Sequence, residues 1–221
     1  MLANCDAQPT TEAMDGAASD GNYRDMVWLD KNRFEGCTTA AMDRAASNGL
    51  LDIWLHKNRT EGCTTAAMDD AATNGHLDVV KFLHENRSEG CTTRAMDGAA
   101  TNGHLNVVKF LHENRSEGCT TAAMDGAITN SRANVARWLN ENRSEGCSTA
   151  AMDNAAGQGY LAAVKWLKDN QKAGCSPAAM INAASKGHLE VIKYLHAEVN
   201  QPATSAAITA AAENGHLRVV E

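Results

Sequence analysis

The sequence predicts an all-α protein, a curved solenoid of stacked helix-turn-helix units. Three observations carry this: a fixed period, two short amphipathic segments in each period, and connecting loops too short for a useful strand pair. Methionine marks the period at Met14, Met42, Met68, Met96, Met124, Met152 and Met180, with Ile208 in the eighth slot, so the steps are 28, 26, 28, 28, 28, 28 and 28 residues. Cys37, Cys63, Cys91, Cys119, Cys147 and Cys175 keep the same beat, with steps of 26, 28, 28, 28 and 28, which places one two-residue deletion between Met42 and Cys63. Self-similarity at this spacing signals a solenoid, whose units bury their apolar faces only against their neighbours. The array is expected over residues 10–221, seven units and a truncated eighth, behind a lead-in of residues 1–9.

The fourth unit shows the elements in order. Its first helix begins after Cys91, with Thr92 or Thr93 as N-cap, and stops at Gly103 in a left-handed turn. The second helix runs over His104–Asn114 and carries Leu105, Val107, Val108, Phe110 and Leu111 on a broad apolar face, wider than the roughly 100° stripe of a helix covered on one side. Arg115-Ser-Glu-Gly118 closes the unit. Two units are irregular. In the second, the shortening is expected at the turn near Gly49, which puts Asp52 on a formerly apolar slot and a local defect in the stack. In the fifth, Ile128 replaces an alanine of the first helix while Ala133 and Ala136 replace leucine and valine of the second, an exchange close to volume-conserving. Ser131 there takes the glycine stop, at a cost of about 1 kcal/mol unless Asn130 adopts the left-handed conformation instead.

Ala99-Ala-Thr-Asn-Gly-His-Leu-Asn-Val-Val-Lys-Phe-Leu111, its copy at residues 71–83, and the related string from Ala183 to Leu195 resemble the core of an ankyrin repeat. The resemblance covers Thr10 to Glu221. Gly174-Cys-Ser-Pro177 is similar to the family's Gly-x-Thr-Pro helix start, although Pro177 lies two residues farther from Ala183-Ala184 than is usual. Ankyrin repeats run to about 33 residues because a β-hairpin finger separates successive helix pairs. A 28-residue unit implies no developed fingers. His56, His84, His112 and His196 stand where the family has a leucine, as expected if the covering hairpin is missing. The family resemblance further implies a non-catalytic protein-interaction scaffold whose first helices line a concave groove.

The recurring residues are read as packing. Equivalent positions in stacked helices lie about 8–10 Å apart, too far for a disulfide or one tetrahedral zinc, so the six periodic cysteines are expected as small buried thiols in a reducing compartment. Cys5 lies outside that ladder. The histidines pair eight residues apart within a helix, not the four of common metal sites. Trp28, Trp54, Phe82, Phe110, Trp138, Trp166 and Tyr194 share one slot and are expected as a spine of rings interleaved with aliphatics. Asp15, Asp43, Asp69, Asp97, Asp125 and Asp153 form an acidic file, and Arg33, Arg59, Arg87, Arg115 and Arg143 a basic one, with hydrogen bonds inside each unit expected to offset like-charge repulsion. The Asn-x-Ser/Thr triplets from Asn58 to Ser144 are by-products of repetition.

Slots that change from unit to unit are read as those packing does not dictate. On the first helix they lie two before, two after and five after the methionine, roughly 140–200° from it and so away from the core stripe. This places Arg44, Asp70 and Arg94 on the groove floor, with Asn154 two after its methionine and Asn48, Asn74, Asn102, Asn130, Gln158 and Lys186 at the helix ends. These are the candidate partner-binding residues, and a central groove around Arg44, Asp70 and Arg94 is expected to admit an extended peptide or a helix.

Composition narrows the rivals. With 43% hydrophobic residues, 21% charged and 3 prolines, the chain is neither a disordered linker nor a stalk. A net charge of −7 disfavours nucleic acid as a partner, and no window reaches the roughly 20 apolar residues of a membrane span. No nucleophile motif, phosphate loop or metal pattern appears, so no catalytic residue, metal or cofactor is expected. Without a signal peptide the expected location is cytoplasmic. Alternatives are a targeting module of a larger enzyme and an aromatic-ladder reader of carbohydrate or nucleic acid. The chain is expected to be monomeric unless its uncapped C-terminal end, with Ile208, Leu217 and Val220, associates or continues into a longer array.

Overall fold

The computed structural model describes residues 10–50 and 53–221. Within them every regular element is helical, and no strand is present. The first helices are α1 (Glu12–Ser19), α3 (Thr39–Ser47), α5 (Thr65–Thr73), α7 (Thr93–Asn102), α9 (Thr121–Thr129), α11 (Thr149–Gly157), α13 (Pro177–Ser185) and α15 (Ser205–Glu213). The second helices are α2 (Tyr23–Asn32), α4 (Ile53–Asn58), α6 (Leu77–Asn86), α8 (Leu105–Asn114), α10 (Ala133–Asn142), α12 (Leu161–Asn170), α14 (Leu189–Glu198) and α16 (Leu217–Val220). Neighbouring first helices pack closely, while second helices scarcely approach one another, so the stack is short on the side of the first helices and bends toward it.

Local chemistry sets the boundaries. Thr92 is the N-cap of α7, its hydroxyl accepting from the Arg94 N–H at 3.2 Å, and Thr38, Thr64, Thr120, Ser148 and Ser176 do the same for their helices. Gly103, at φ 88°, turns the chain into α8. At the equivalent place Ser131 itself is left-handed, at φ 58°, and Asn130 is not. Each second helix from α2 to α12 ends on an asparagine whose side-chain amide donates to the carbonyl four residues back, as Asn86 does to Phe82 at 2.9 Å. The Asn-x-Ser/Thr triplets are therefore helix ends.

The core is continuous along the stack. The seven periodic methionines and the alanines beside them are buried, and Leu55, Leu83, Leu111, Leu139, Leu167 and Leu195 of the second helices close the layer. Cys37, Cys63, Cys91 and Cys119 are buried thiols, whereas Cys147 and Cys175 are half-buried. Burial pushes Cys37, Cys91, Cys119 and Cys147 up to about 11 and Cys63 up to about 12, which keeps them as neutral thiols. Cys5 lies outside the described residues.

The acidic file joins units rather than serving within them. Asp69 accepts from the N–H of Thr92 at 2.7 Å and from its hydroxyl at 2.7 Å, stapling α5 to the cap of α7. The same pair of bonds runs from Thr38 to Asp15, Thr64 to Asp43, Thr120 to Asp97, Ser148 to Asp125 and Ser176 to Asp153. The basic file works differently. Arg59, Arg87, Arg115 and Arg143 pair with Glu61, Glu89, Glu117 and Glu145 of their own loops, and Glu61 and Glu89 also accept the N–H of the preceding unit's Cys37 and Cys63 at 3.3 Å. Burial pushes the carboxyls of Glu61 and Glu89 up, but the arginine and the backbone N–H groups outweigh it and hold both near 2.

The rings of the spine pack against the aliphatic core as expected, and at three joints a histidine also meets the next unit's ring. His56 meets Phe82, His84 meets Phe110 and His112 meets Trp138 edge to face, with centroids 5.5, 5.6 and 5.2 Å apart. A histidine thus covers the next unit's ring where a longer repeat would use a leucine under a hairpin. These rings are half-buried, and Trp28 is exposed.

In the second unit the described part of α4 is Ile53–Asn58, and Asn58 lies nine residues after Gly49 where Asn86 lies eleven after Gly75. Leu50 packs over Gly21 as His76 packs over Gly49, so the turn keeps its register and the shortening falls after it. Asp52 lies outside the described residues, as do the lead-in residues 1–9.

Candidate functional site

The face of the first helices is shaped by one pair of slots. The residue two after each methionine faces the residue five after the methionine of the preceding unit. A Cβ placed on Gly98 would lie 2.1 Å from the Thr73 hydroxyl, and one on Gly126 would lie 2.0 Å from that of Thr101. At α11/α13 the sizes are reversed, with buried Gly157 beneath Asn182, where an added Cβ would meet the Asn182 Cβ at 2.9 Å. The first helices come closest at these three glycine-containing joints. Where both partners carry side chains, as with Ser19 and Arg44, Ser47 and Asp70, or Thr129 and Asn154, they stand farther apart, and α9/α11 is the most open of them. These slots vary because each is sized to its neighbour. That corrects the reading that packing leaves them free: Gly98, Gly126 and Gly157 belong to helix contacts, not to a groove floor.

Among the candidate residues, Arg44 is exposed and its guanidinium makes no ion pair or hydrogen bond among the described residues. Arg94 reaches back across the α5/α7 joint to Asp70, with Nη2 and Oδ1 3.3 Å apart; the Arg94 side chain stays largely in water and that of Asp70 is half-buried. Asn48, Asn74 and Asn102 are exposed but bonded: each side-chain amide donates to the last turn of the preceding first helix, at Ser19, Ser47 and Thr73 carbonyls 3.0, 2.9 and 2.9 Å away. Asn130 breaks this ladder by turning back to Gly126 of its own helix at 3.1 Å. Asn154, Gln158 and Lys186 are brought together. With Thr129, Gly157, Asn182 and Ser185 they line a polar trough of about 310 Å³ along the loosened α9/α11 joint and the α13 end. Asn154 donates to the Thr129 hydroxyl at 3.3 Å, while the Gln158 and Lys186 heads point to solvent without a partner among the described residues. The central trio and this trough lie at different levels of the stack, and Asn130 belongs to neither.

A second concavity was not foreseen. Between α10 and α12, beside the turns that join them to α9 and α11, lies a cavity of about 580 Å³ lined by Ile128, Ala133, Ala136, Ala163, Tyr160 and Trp166, with Arg132 and Arg137 at its margin. Ile128 is buried at 7% exposure but does not refill the space that small residues leave on the second-helix side. The trade within the fifth unit is therefore incomplete. A signal was present: Ala163 of the sixth unit stands where other second helices have valine, and its truncation faces those of Ala133 and Ala136.

Residues 68–112 match the family model of ankyrin repeats in many copies. No curated protein matches the chain. The crystal structure of the human ASB11 ankyrin repeat domain is similar in fold, with 17% sequence identity and a TM-score of 0.50 over 94% of this chain and 97% of that one. No helix among the described residues is long and apolar enough to cross a membrane.

Proposed function

We propose that this chain, an ankyrin-repeat protein by its matched units and its fold, is a non-catalytic scaffold that receives a protein or peptide partner on the face of its first helices. Ankyrin repeats are in general protein-interaction modules and the fold is typically non-catalytic. The observation that carries the finer reading is how the polar groups are spent. Most of the recurring aspartates, arginines and asparagines are bonded across or within units, which leaves Arg44, the Arg94–Asp70 pair and the Gln158 and Lys186 heads of the trough as polar groups turned to solvent on the first-helix face. Arginine is among the residues that most often anchor interfaces. The buried thiols, held neutral, suit a reducing cytoplasmic setting.

The test is affinity for a partner isolated by capture with the intact chain. Arg44→Ala with Arg94→Ala is expected to weaken binding about thirtyfold, which corresponds to about 2 kcal/mol. Unchanged affinity refutes the central placement, and loss confined to Lys186→Ala moves it to the trough.

A further inference from the structure

The cavity between α10 and α12 is private to one joint, and its cause can be read residue by residue. At the slot of Ala133 the regular second helices carry Leu77, Leu105, Leu161 and Leu189, and at that of Ala136 they carry Val80, Val108, Val164 and Ile192. Ala163 stands where Val79, Val107, Val135 and Val191 stand. Three truncations converge on one place, and Ile128 gives back less side-chain volume than they remove. A packing void closed to solvent would simply cost stability. This one opens to the surface between a half-buried Trp166 and an exposed Tyr160.

The margin has a definite charge. Arg132 replaces the histidine of the regular turn, and its stem lies over Gly103, where an added Cβ would meet Arg132 Cδ at 2.7 Å. That packing carries its side chain onto the α7/α8 turn of the preceding unit and leaves Arg137 as the cation beside the opening. Arg137 is exposed on α10, and neither arginine makes an ion pair or a side-chain hydrogen bond among the described residues, although the chain as a whole carries −7. The positive charge of Arg132 is felt locally: His104 is held below the usual imidazole range, first by burial and then by Arg132. Five residues apart, the two arginines also stand about 140° apart around α10, so a complementary occupant brings an acidic group for Arg137 beside an apolar one.

We propose that the cleft lined by Ala133, Ala136, Ala163 and Trp166, with Arg137 at its margin, docks an acidic peptide segment of a partner protein by one large apolar side chain with a carboxylate beside it. This surface lies on the second helices and is separate from the first-helix face, so it goes beyond the scaffold reading above. An apolar anchor in a desolvated pocket supplies most of such an affinity, and the adjacent charge pair selects the sequence.

A randomised displayed-peptide library is the probe. Selection on the intact chain is expected to enrich sequences with Leu, Ile, Phe or Trp next to Asp or Glu, and the corresponding synthetic peptide is expected to bind measurably in solution. Ala133→Leu with Ala136→Val restores the side chains of the regular units and is expected to abolish that binding while raising the melting temperature, which separates a filled cleft from a damaged fold. Arg137→Glu, at an exposed position, is expected to weaken it about tenfold or more. The proposal is overturned if no peptide is enriched, if the enriched peptides lack the acidic–apolar pattern, or if they bind the filled variant as well as the original. Octanoate competing as strongly as the peptide would also overturn it, by showing a site for a small apolar acid. Arg44→Ala with Arg94→Ala is expected to leave this peptide's affinity unchanged, so failure here and failure of the first-helix reading are told apart.

Discussion

The α7/α9 joint and the α9/α11 joint are built from nearly the same sequence and pack differently. At the first, Gly126 admits the Thr101 side chain, and the two first helices lie close along their length. At the second, Asn154 takes the place of that glycine against Thr129, and the helices part. The staple persists at both: Thr120 donates to Asp97 with bonds of 2.8 Å, and Ser148 to Asp125 with bonds of 2.8 and 2.6 Å. What changes is side-chain volume on one face and, through Ala133, Ala136 and Ala163, on the other. The trough and the second-helix cleft flank this joint. A quasi-one-dimensional stack can relax one interface without disturbing the rest, because each unit touches only its neighbours.

The largest expected effect comes from removing the small residue that makes the tight joint tight. Gly126→Ala puts a Cβ 2.0 Å from the Thr101 hydroxyl and 2.9 Å from the Thr101 Cβ. No rotamer of a threonine moves its own Cβ, so the helices must separate, at a cost of about 2–3 kcal/mol. Gly16 occupies the same slot in α1 with nothing within 4 Å, so Gly16→Ala is expected to stabilise by up to about 1 kcal/mol through helix propensity alone. Urea denaturation of the two variants checks the contrast. Equal responses would mean that the slot pair does not set the helix spacing.

Next in size is the staple at the loose joint. Asp125→Ala leaves the N–H and hydroxyl of Ser148 without their acceptor and is expected to cost about 1–3 kcal/mol. Because the neighbouring contacts are already thin there, the stack is expected to part at that point. Hydrogen exchange is expected to show α11–α14 losing protection before α5–α8, whereas Asp69→Ala, within a tight joint, is expected to lower protection evenly. A uniform loss in the Asp125 variant would show that α9/α11 is no weaker than its neighbours.

The periodic part of this architecture was legible in the sequence because packing repeats with the residues that make it. Methionine and alanine stripes, caps at Thr92 and its equivalents, and the turn at Gly103 each follow from a local rule. The acidic file was visible, but its direction was not: Asp69 serves the cap of the next unit, and a bond across 23 residues has no local signature. The candidate face was legible only in part. Arg44 and Arg94 sit in the open, while Asn48, Asn74 and Asn102 spend their amides on the neighbouring helix. Variation between Gly126 and Asn154 looked like freedom and is a matched size choice. It becomes readable only when each slot is compared with its partner one unit away. The cleft escaped for the same reason, since Ile128 returns only part of the volume that Ala133 and Ala136 remove, and Ala163, one unit away, adds to the deficit.

The smallest expected effect concerns the turn that feeds the loose joint. Ser131 adopts φ 58°, where regular units have glycine, and its side chain is exposed with no hydrogen bond among the described residues to compensate. A left-handed residue with a Cβ costs about 1–2 kcal/mol, while glycine adds conformational freedom to the unfolded chain worth about 0.4–1 kcal/mol. The difference leaves Ser131→Gly stabilising by about 0.5–1 kcal/mol, measurable as a higher urea midpoint at unchanged slope. Asn130 is not bonded to the preceding helix as Asn102 is, so the substitution relaxes the turn without drawing α9 and α11 together. Affinity at either concavity is therefore expected to stay where it was. If the midpoint rises and binding at the second-helix cleft falls together, the strained turn itself holds the cleft open, and side-chain truncation is not its sole cause.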